Sequence, residues 1–471
     1  MPLVLGVDSS TQSTKVEVRD AESGELVAHG RAPHPSTTPP RSEQDPDAWW
    51  HALEAAVAQA GTAARGAAAI AVAGQQHGLV VLDADENVVR PAKLWNDTES
   101  APDAEWLVKQ LGDPAAWAEA CGSVPVAAFT ITKLSWLHRS EPDAWARVAR
   151  VCLPHDWLTW KLTGAFVTDR GDASGTGYFS AARHHYCADL LAIVDRDADW
   201  SSRLPRVLAP NEAAGTTHAF GGDAVVGPGT GDNMAAALAL ALPPGHIAVS
   251  LGTSGTVYTV SETPTADPSG AVAGFADATG RYLPLVCTLN ATKVTDTVAG
   301  WLGVDAAGLD GLALASEAGA HGTTLVPYFD GERTPNRPDA TGVLHGVRTS
   351  TDRADLARAA IEGVACGLLD GLDALTAAGV PTQGDVVLVG GGARSHAYQR
   401  AIADLSGRVV VVPDAVEHVA AGACVQAAAV LLGRDPAAVA RAWDLARGRA
   451  VEPDATVDRA AIREAYAKAR G

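Results

Sequence analysis

Paired cysteines are missing from this chain. Cys121, Cys152, Cys187, Cys287, Cys366 and Cys424 stand singly and no CxxC occurs, so a disulfide framework or a zinc site is not expected. Reduced, mostly buried thiols in a cytoplasmic protein are the plain reading. Long apolar runs are also missing: none reaches the roughly 18 residues that mark a membrane span. With a first strand expected from residue 3, no signal peptide is expected. Positive charge is scarce, with 36 Lys and Arg against 55 Asp and Glu and a net charge of −19. Nucleic acid and anionic membrane are therefore poor partners, because nothing offsets phosphate repulsion globally. A phosphorylated small molecule is still allowed, since backbone amides and a metal ion can hold it locally. No Gly precedes any Lys, which removes the GxxxxGK[ST] phosphate loop. No GxGxxG follows the first strand, and GxSxG and HExxH are absent. P-loop ATPases, simple dinucleotide oxidoreductases, lipase-like hydrolases and zincins all lose ground.

What is present suits two or three globular domains: 471 residues, 47% hydrophobic and 19% charged. Residues 3–18 read LVLGVDSSTQSTKVEV, an apolar run to Asp8, a hydroxyl-rich turn and an alternating return. This pattern predicts a hairpin with a carboxylate at its mouth. Short side chains leave the turn's N–H groups and hydroxyls open to an anion. Alone, Asp8 reads first as a turn former in a surface hairpin. Residues 247–260, IAVSLGTSGTVYTV, change that. With Asp8 set on Ser250, Thr11 falls on Thr253 and Thr14 on Thr256, and apolar strands flank both turns. Two copies of one phosphate-cradling hairpin, about 240 residues apart, would make a nucleotide clamp. Only the first copy carries the carboxylate that could hold a divalent ion.

Other segments add polar groups at strand ends. Residues 25–30 suit a third strand, and Asp45-Pro46 starts a helix running to about Ala60. Residues 69–73 form a buried strand that empties into Gly74-Gln75-Gln76-His77-Gly78. Such a strand end is where open α/β sheets bind ligands. His77 by itself reads as a structural histidine or as a ligand contact. Residues 79–82 and the 83–87 turn suggest another hairpin, and Leu94-Trp95-Asn96-Asp97 puts an aromatic face beside polar groups before a helix near 99–111. Residues 115–165 read as mainly helical, and 168–177 as a polar, Gly-rich loop in which Asp169 and Asp172 either line a cleft or form turns. The strand 224–226 leads through a Gly-rich turn to Asp232-Asn233 and a helix over 234–242. Asp232 reads as a helix N-cap or as a ligand-facing carboxylate. Further on, helices are expected at 290–302, 353–378, from 397 and over 415–433, with strands at 322–328, 385–389 and 409–412. Gly390-Gly391-Gly392-Ala393 between strand and helix would let backbone lie against a planar ring or a phosphate.

Duplicated hairpins, a first-strand Asp and a late GGGAR resemble the actin–hexokinase–Hsp70 architecture. Within it the chain resembles the FGGY carbohydrate kinases along nearly its whole length. Residues 342–362, GVLHGVRTSTDRADLARAAIE, are similar to that family's C-terminal signature, and 130–137, TITKLSWL, less completely to its N-terminal one. The resemblance implies an α/β, two-lobed actin-like ATPase (ribonuclease H-like) fold with a duplicated core and an interlobe cleft. It implies an N-terminal lobe of residues 1–242, binding sugar and carrying the metal hairpin, and an ATP-binding lobe of 243–471. The segments SEQDPDAWW, AGQQHG, LWND, DASGT, GDN, SLGTSG, GERTP and GGGAR point within the family to D-xylulose as the acceptor. Two departures stand out: Gln76 where those kinases usually carry Met, and Asp8-Ser9-Ser10-Thr11 where they usually read Asp-x-Gly-Thr.

The residue roles implied are as follows. Asp232 is the general base and Asp8 the Mg²⁺ ligand, both catalytic. Gln76, His77, Asp232 and Asn233 bind the sugar, with Trp95 beside them. Thr11, Gly252, Thr253, Ser254, Gly391, Gly392 and Ala393 bind ATP. Ribulose, gluconate or a polyol as the acceptor, or a non-catalytic sugar or nucleotide sensor on the same fold, are the alternatives. The expected partners are thus a small sugar and MgATP, without nucleic acid or membrane and with a homodimer possible.

Overall fold

In the computed structural model the described residues are 1–415 and 417–471. They form two compact units. The first comprises Met1–Ala241, Glu262–Leu283 and Glu417–Leu445; the second comprises Leu242–Ser261, Pro284–Val416 and Ala446–Gly471. Each is built on a mixed sheet with helices packed against it.

In the first unit the strands Leu3–Ser9 and Ser13–Asp20 form the expected hairpin, with Asp8 opposite Lys15 and Ser9 opposite Thr14. Leu26–Pro33 adds antiparallel to the hairpin. On the other side Ala67–Gly74 runs parallel to Leu3–Ser9, Ala224–Val226 runs parallel to Ala67–Gly74, and Gly215–Thr217 closes the edge antiparallel. Val4, Leu5 and Val7 are fully buried, as a near-continuous apolar run in a covered sheet requires. Helix Pro46–Arg65 packs against Leu26–Pro33 and the hairpin. Asp45 caps it by accepting from Asp47 N–H, and Pro46 occupies its first turn. It departs from helical geometry at Gly61, near the expected end, and then continues to Arg65.

The second unit repeats this order. Ile247–Leu251 and Gly255–Thr259 form a hairpin, with Tyr282–Thr288 antiparallel beyond it. Val386–Val389 and Val410–Pro413 follow in parallel, and Gly448–Val451 closes antiparallel. Both sheets thus share one six-strand pattern. The duplication read from two hairpins extends to the topology of the whole core.

The first compact unit is drawn from three separate stretches of the chain. Helix His418–Leu432 packs against Leu3–Ser9, Ala67–Gly74 and helix Asp232–Ala239 of the first unit. Segment 262–283 is tied in by Gly274 N–H to Ser123 Oγ at 3.1 Å and by Ala276 N–H to Ser174 Oγ at 2.8 Å. Neither attachment has a local sequence signal. The expected helix over 415–433 begins at His418, and residue 416 lies outside the described residues.

Other local differences are instructive. The stretch expected to be mainly helical also holds strand Arg150–Cys152, paired with Val80–Leu82. Within it Trp136 is only partly buried, and Lys93 Nζ lies 3.9 Å from its ring centroid. The polar 168–177 stretch is not a simple loop: it ends strand Val167–Asp169 and forms the short helix Arg170–Ala173. All six cysteines are free, five of them buried. Among the described residues no single helix is long and apolar enough to cross a membrane.

Candidate active site

The ends of three parallel strands assemble the polar groups of the first unit. Asp8 pairs in register with Ala73, Ser9 with Gly74, and Gly231 with Gly74. The register therefore brings the first hairpin, the Gln75-Gln76-His77 turn and Asp232-Asn233 to one sheet edge, where α/β sheets present ligand sites.

Asp8 is 2% exposed. Its Oδ2 accepts from Lys15 Nζ at 3.3 Å, and Lys15 reaches on to Glu417 Oε2 at 2.8 Å. Asp8 Oδ1 is buried without a hydrogen-bond partner. Burial pushes the Asp8 carboxyl up to about 6; Lys15 opposes this and Glu417 adds to it. A buried carboxylate oxygen with open lone pairs is a hard donor that fits Mg²⁺.

Asp232 begins the helix Asp232–Ala239 and is half-buried. Its Oδ1 accepts from Asn233 N–H at 2.8 Å and from Asn233 Nδ2 at 2.9 Å. Burial and the negative charge of Asp8 push its carboxyl up to about 7, against the lowering effect of Asn233. Asn233 Nδ2 also donates to Gln76 Oε1 at 2.8 Å, so Gln76, Asp232 and Asn233 form one hydrogen-bonded set. Gln76 Nε2 is buried without a partner.

His77 sits at φ 66 and packs its ring between Phe129 and Phe275, with centroids 5.1 and 5.4 Å away. A non-glycine residue in this backbone region is uncommon and occurs at functional sites. Gly175 makes room for the ring, since a Cβ there would lie 2.2 Å from His77 Cε1. Trp95 Nε1 donates to Thr11 Oγ1 at 2.8 Å, and Thr11 donates on to Gln75 Oε1 at 3.2 Å. The first turn is also less open than its composition implies, because Ser10 N–H and Oγ both donate to Ser13 O.

In the second unit the two Gly-rich turns are neighbours, because Ser250 pairs in register with Val389 on parallel strands. Gly252 N–H donates to Ser254 O, and Thr253 is exposed. The GGGAR segment forms a single tight turn, Gly391–Arg394, with Gly391 exposed, Gly392 half-buried and Ala393 buried.

Lys15, Glu417 and Gln75 carry no role in the sequence reading. Lys15 has a signal in hindsight, as the cross-strand partner of Asp8; Glu417 has none, being 402 residues from Lys15. Glu43, Asp97 and Glu99 approach one another closely enough for a metal. Lys93 Nζ already lies among them, at 3.2, 2.9 and 2.6 Å. Asp97 of the Leu94–Asp97 segment is therefore part of a buried ion-pair network.

Residues 3–239 match the N-terminal domain of the FGGY family of carbohydrate kinases, and 247–431 match its C-terminal domain. The chain belongs to that family. As an FGGY kinase it is an ATP-dependent sugar kinase. It is 51% identical over 469 residues to a xylulose kinase of Streptomyces coelicolor, covering 97% of this chain and 95% of that one. A xylulose kinase of Haemophilus influenzae is 34% identical over 90% of each chain. Among solved structures, xylulose kinase from Bifidobacterium adolescentis superposes with a TM-score of 0.87 at 42% identity, covering 100% of this chain and 99% of the other. The two-domain FGGY fold therefore accounts for the duplicated sheets of this kinase.

Proposed function

We propose that the chain transfers the γ-phosphoryl group of ATP to the O5 hydroxyl of D-xylulose, giving D-xylulose 5-phosphate and ADP, with Asp232 as the proton acceptor. The choice of sugar is supported by relatives named xylulose kinase at 51% and 34% identity over nearly the whole chain. One observation carries the choice of base: Asp232 is a half-buried carboxyl raised to about 7, beside amide groups suited to sugar hydroxyls. A base poised near neutrality accepts the hydroxyl proton as the new O–P bond forms. Gln76 Nε2 offers a donor to a sugar oxygen, His77 and Asn233 bind hydroxyls, and Trp95 lends a ring edge. Asp8 Oδ1 would hold Mg²⁺, which when bound offsets the charge of the phosphates. Thr11, Gly252, Thr253 and Ser254 are assigned to phosphates and Gly391, Gly392 and Ala393 to the adenosine. A cytoplasmic location fits the free thiols.

A panel of sugars assayed by ADP release tests the substrate. D-xylulose should be turned over with the highest kcat/KM. Gln76 gives a reason to include ribulose, gluconate and polyols, because its free amide donor differs chemically from the Met usual at that place. Strong activity on one of these with none on D-xylulose would replace the proposed acceptor.

A further inference from the structure

Asp232 is presented by the two-residue strand Thr230–Gly231, which runs directly into its helix. Three restraints converge on residues 229–231. Thr230 and Gly231 pair with Ala73 and Gly74. Gly229 O accepts from Gln426 Nε2 at 2.9 Å. Thr230 Oγ1, fully buried, donates to Asp169 Oδ2 at 2.9 Å. Asp169 itself is held from several sides. Its Oδ2 also accepts from Gly171 N–H at 2.7 Å and its Oδ1 from Asp172 N–H at 3.0 Å.

Behind it lies His155, completely buried, with Nε2 at 3.2 Å from Asp156, 3.4 Å from Asp169 and 3.5 Å from Asp172. Burial works against a charge on this ring, but the three carboxyls outweigh it and hold the imidazole up to about 9. The ring also abuts the presenting strand: Gly229 lies at φ +79, and a Cβ there would fall 2.6 Å from His155 Nδ1. The cation therefore sits against both the carboxylate and the backbone leading to Asp232.

We propose that Asp169 is a positioning residue for phosphoryl transfer: through the Thr230 hydroxyl it fixes the strand that presents Asp232 to the acceptor sugar. The proposal rests on Asp232 being the proton acceptor. Asp169 does not touch the reacting atoms. Its effect is on the direction of the Asp232 carboxylate, and in-line transfer is sensitive to displacements of about 1 Å. A purely local role, capping the helix Arg170–Ala173, needs only its bonds to Gly171 and Asp172 and makes the Thr230 hydroxyl dispensable.

Thr230→Val removes that hydroxyl and keeps the shape, and Thr230→Ser restores it. The expected result is kcat lowered about tenfold in Thr230→Val, with KM for sugar and for ATP within about twofold of the parent. Thr230→Ser should stay within about twofold in kcat. Folding of both is followed by circular dichroism and thermal melting. In addition, Asp169→Ala combined with Thr230→Val should be no slower than Asp169→Ala alone, since each removes the Thr230–Asp169 contact. Unchanged kcat in Thr230→Val, equal losses in the Val and Ser variants, or multiplying losses in the double variant would overturn the proposal. Retained turnover in Asp232→Asn would instead remove the base assignment on which it rests, so the two failures are distinguishable.

Discussion

Asp8 and Asp232 are both carboxyls raised by burial, yet their surroundings prepare them for different work. Asp8 is almost wholly buried and has given one oxygen to Lys15, while the other has no hydrogen-bond partner. Asp232 is half-buried, and both bonds from Asn233 fall on Oδ1, so its second oxygen is not engaged by them. Asp232→Asn should lower kcat by about 10²–10⁴-fold while isothermal titration still detects sugar binding. As the proposed base, Asp232 acts only when deprotonated, so kcat/KM should fall on the acid side of about pH 7. The slope should approach about tenfold per pH unit. A divalent ion at Asp8 moves this limb to lower pH, because it offsets the charge that raises Asp232. Asp8→Asn should raise the Mg²⁺ concentration needed for half-maximal rate several-fold, read from a Mg²⁺ titration at fixed ATP; an unchanged midpoint would remove Asp8 as the ligand. Both carboxyls stood out in the sequence, Asp8 at the end of an apolar strand before a turn of small residues and Asp232 between a Gly-rich turn and a helix. Lys15 and Glu417 were not, because an ion pair across 402 residues has no local pattern.

At the scale of elements, the turn after strand Ala67–Gly74 shows how a backbone conformation serves a side chain. His77 takes a left-handed conformation, and its ring is wedged by Phe129, Phe275 and the bare backbone of Gly175. Gly175→Ala would place a methyl 2.2 Å from Cε1, so the ring must move. The expected outcome is a rise in sugar KM of about tenfold or more with ATP KM little changed, measured by steady-state kinetics. Equal KM values would mean that His77 does not touch the sugar. The DASGT stretch was legible as polar and Gly-rich, and its reading as a loop was a matter of scale. Arg170–Ala173 is a single helical turn, too short for periodicity to reveal. Trp95 was singled out for its ring, whereas the fold uses its N–H to hold Thr11. Composition names the group available, and tertiary contact decides which end of it is spent.

For the whole molecule, the buried His155 cluster ties stability to pH. The folded chain keeps the imidazole protonated up to about 9, while the unfolded chain releases that proton near its ordinary 6.5. Its contribution is therefore fully present below 6.5 and is lost as pH rises toward 9. His34 and His418, lowered to about 4 by burial, have completed their effect below this window. The melting temperature should fall between pH 6.5 and 9 in differential scanning calorimetry; a flat or rising curve would contradict the assignment. The sequence by itself determined the duplicated core, the glycine turns and where in the chain Asp8 and Asp232 stand beside them. Each of these is a short-range pattern of apolar periodicity, small residues and one polar group. Only the tertiary structure decided that segments 262–283 and 417–445 join the first unit, that Thr11 is held by Trp95, and that His155 stands behind Asp169. These depend on packing between residues far apart in the chain. Buried charges and polar groups take their partners from whatever the folded sheet brings within reach, and local sequence does not record that distance.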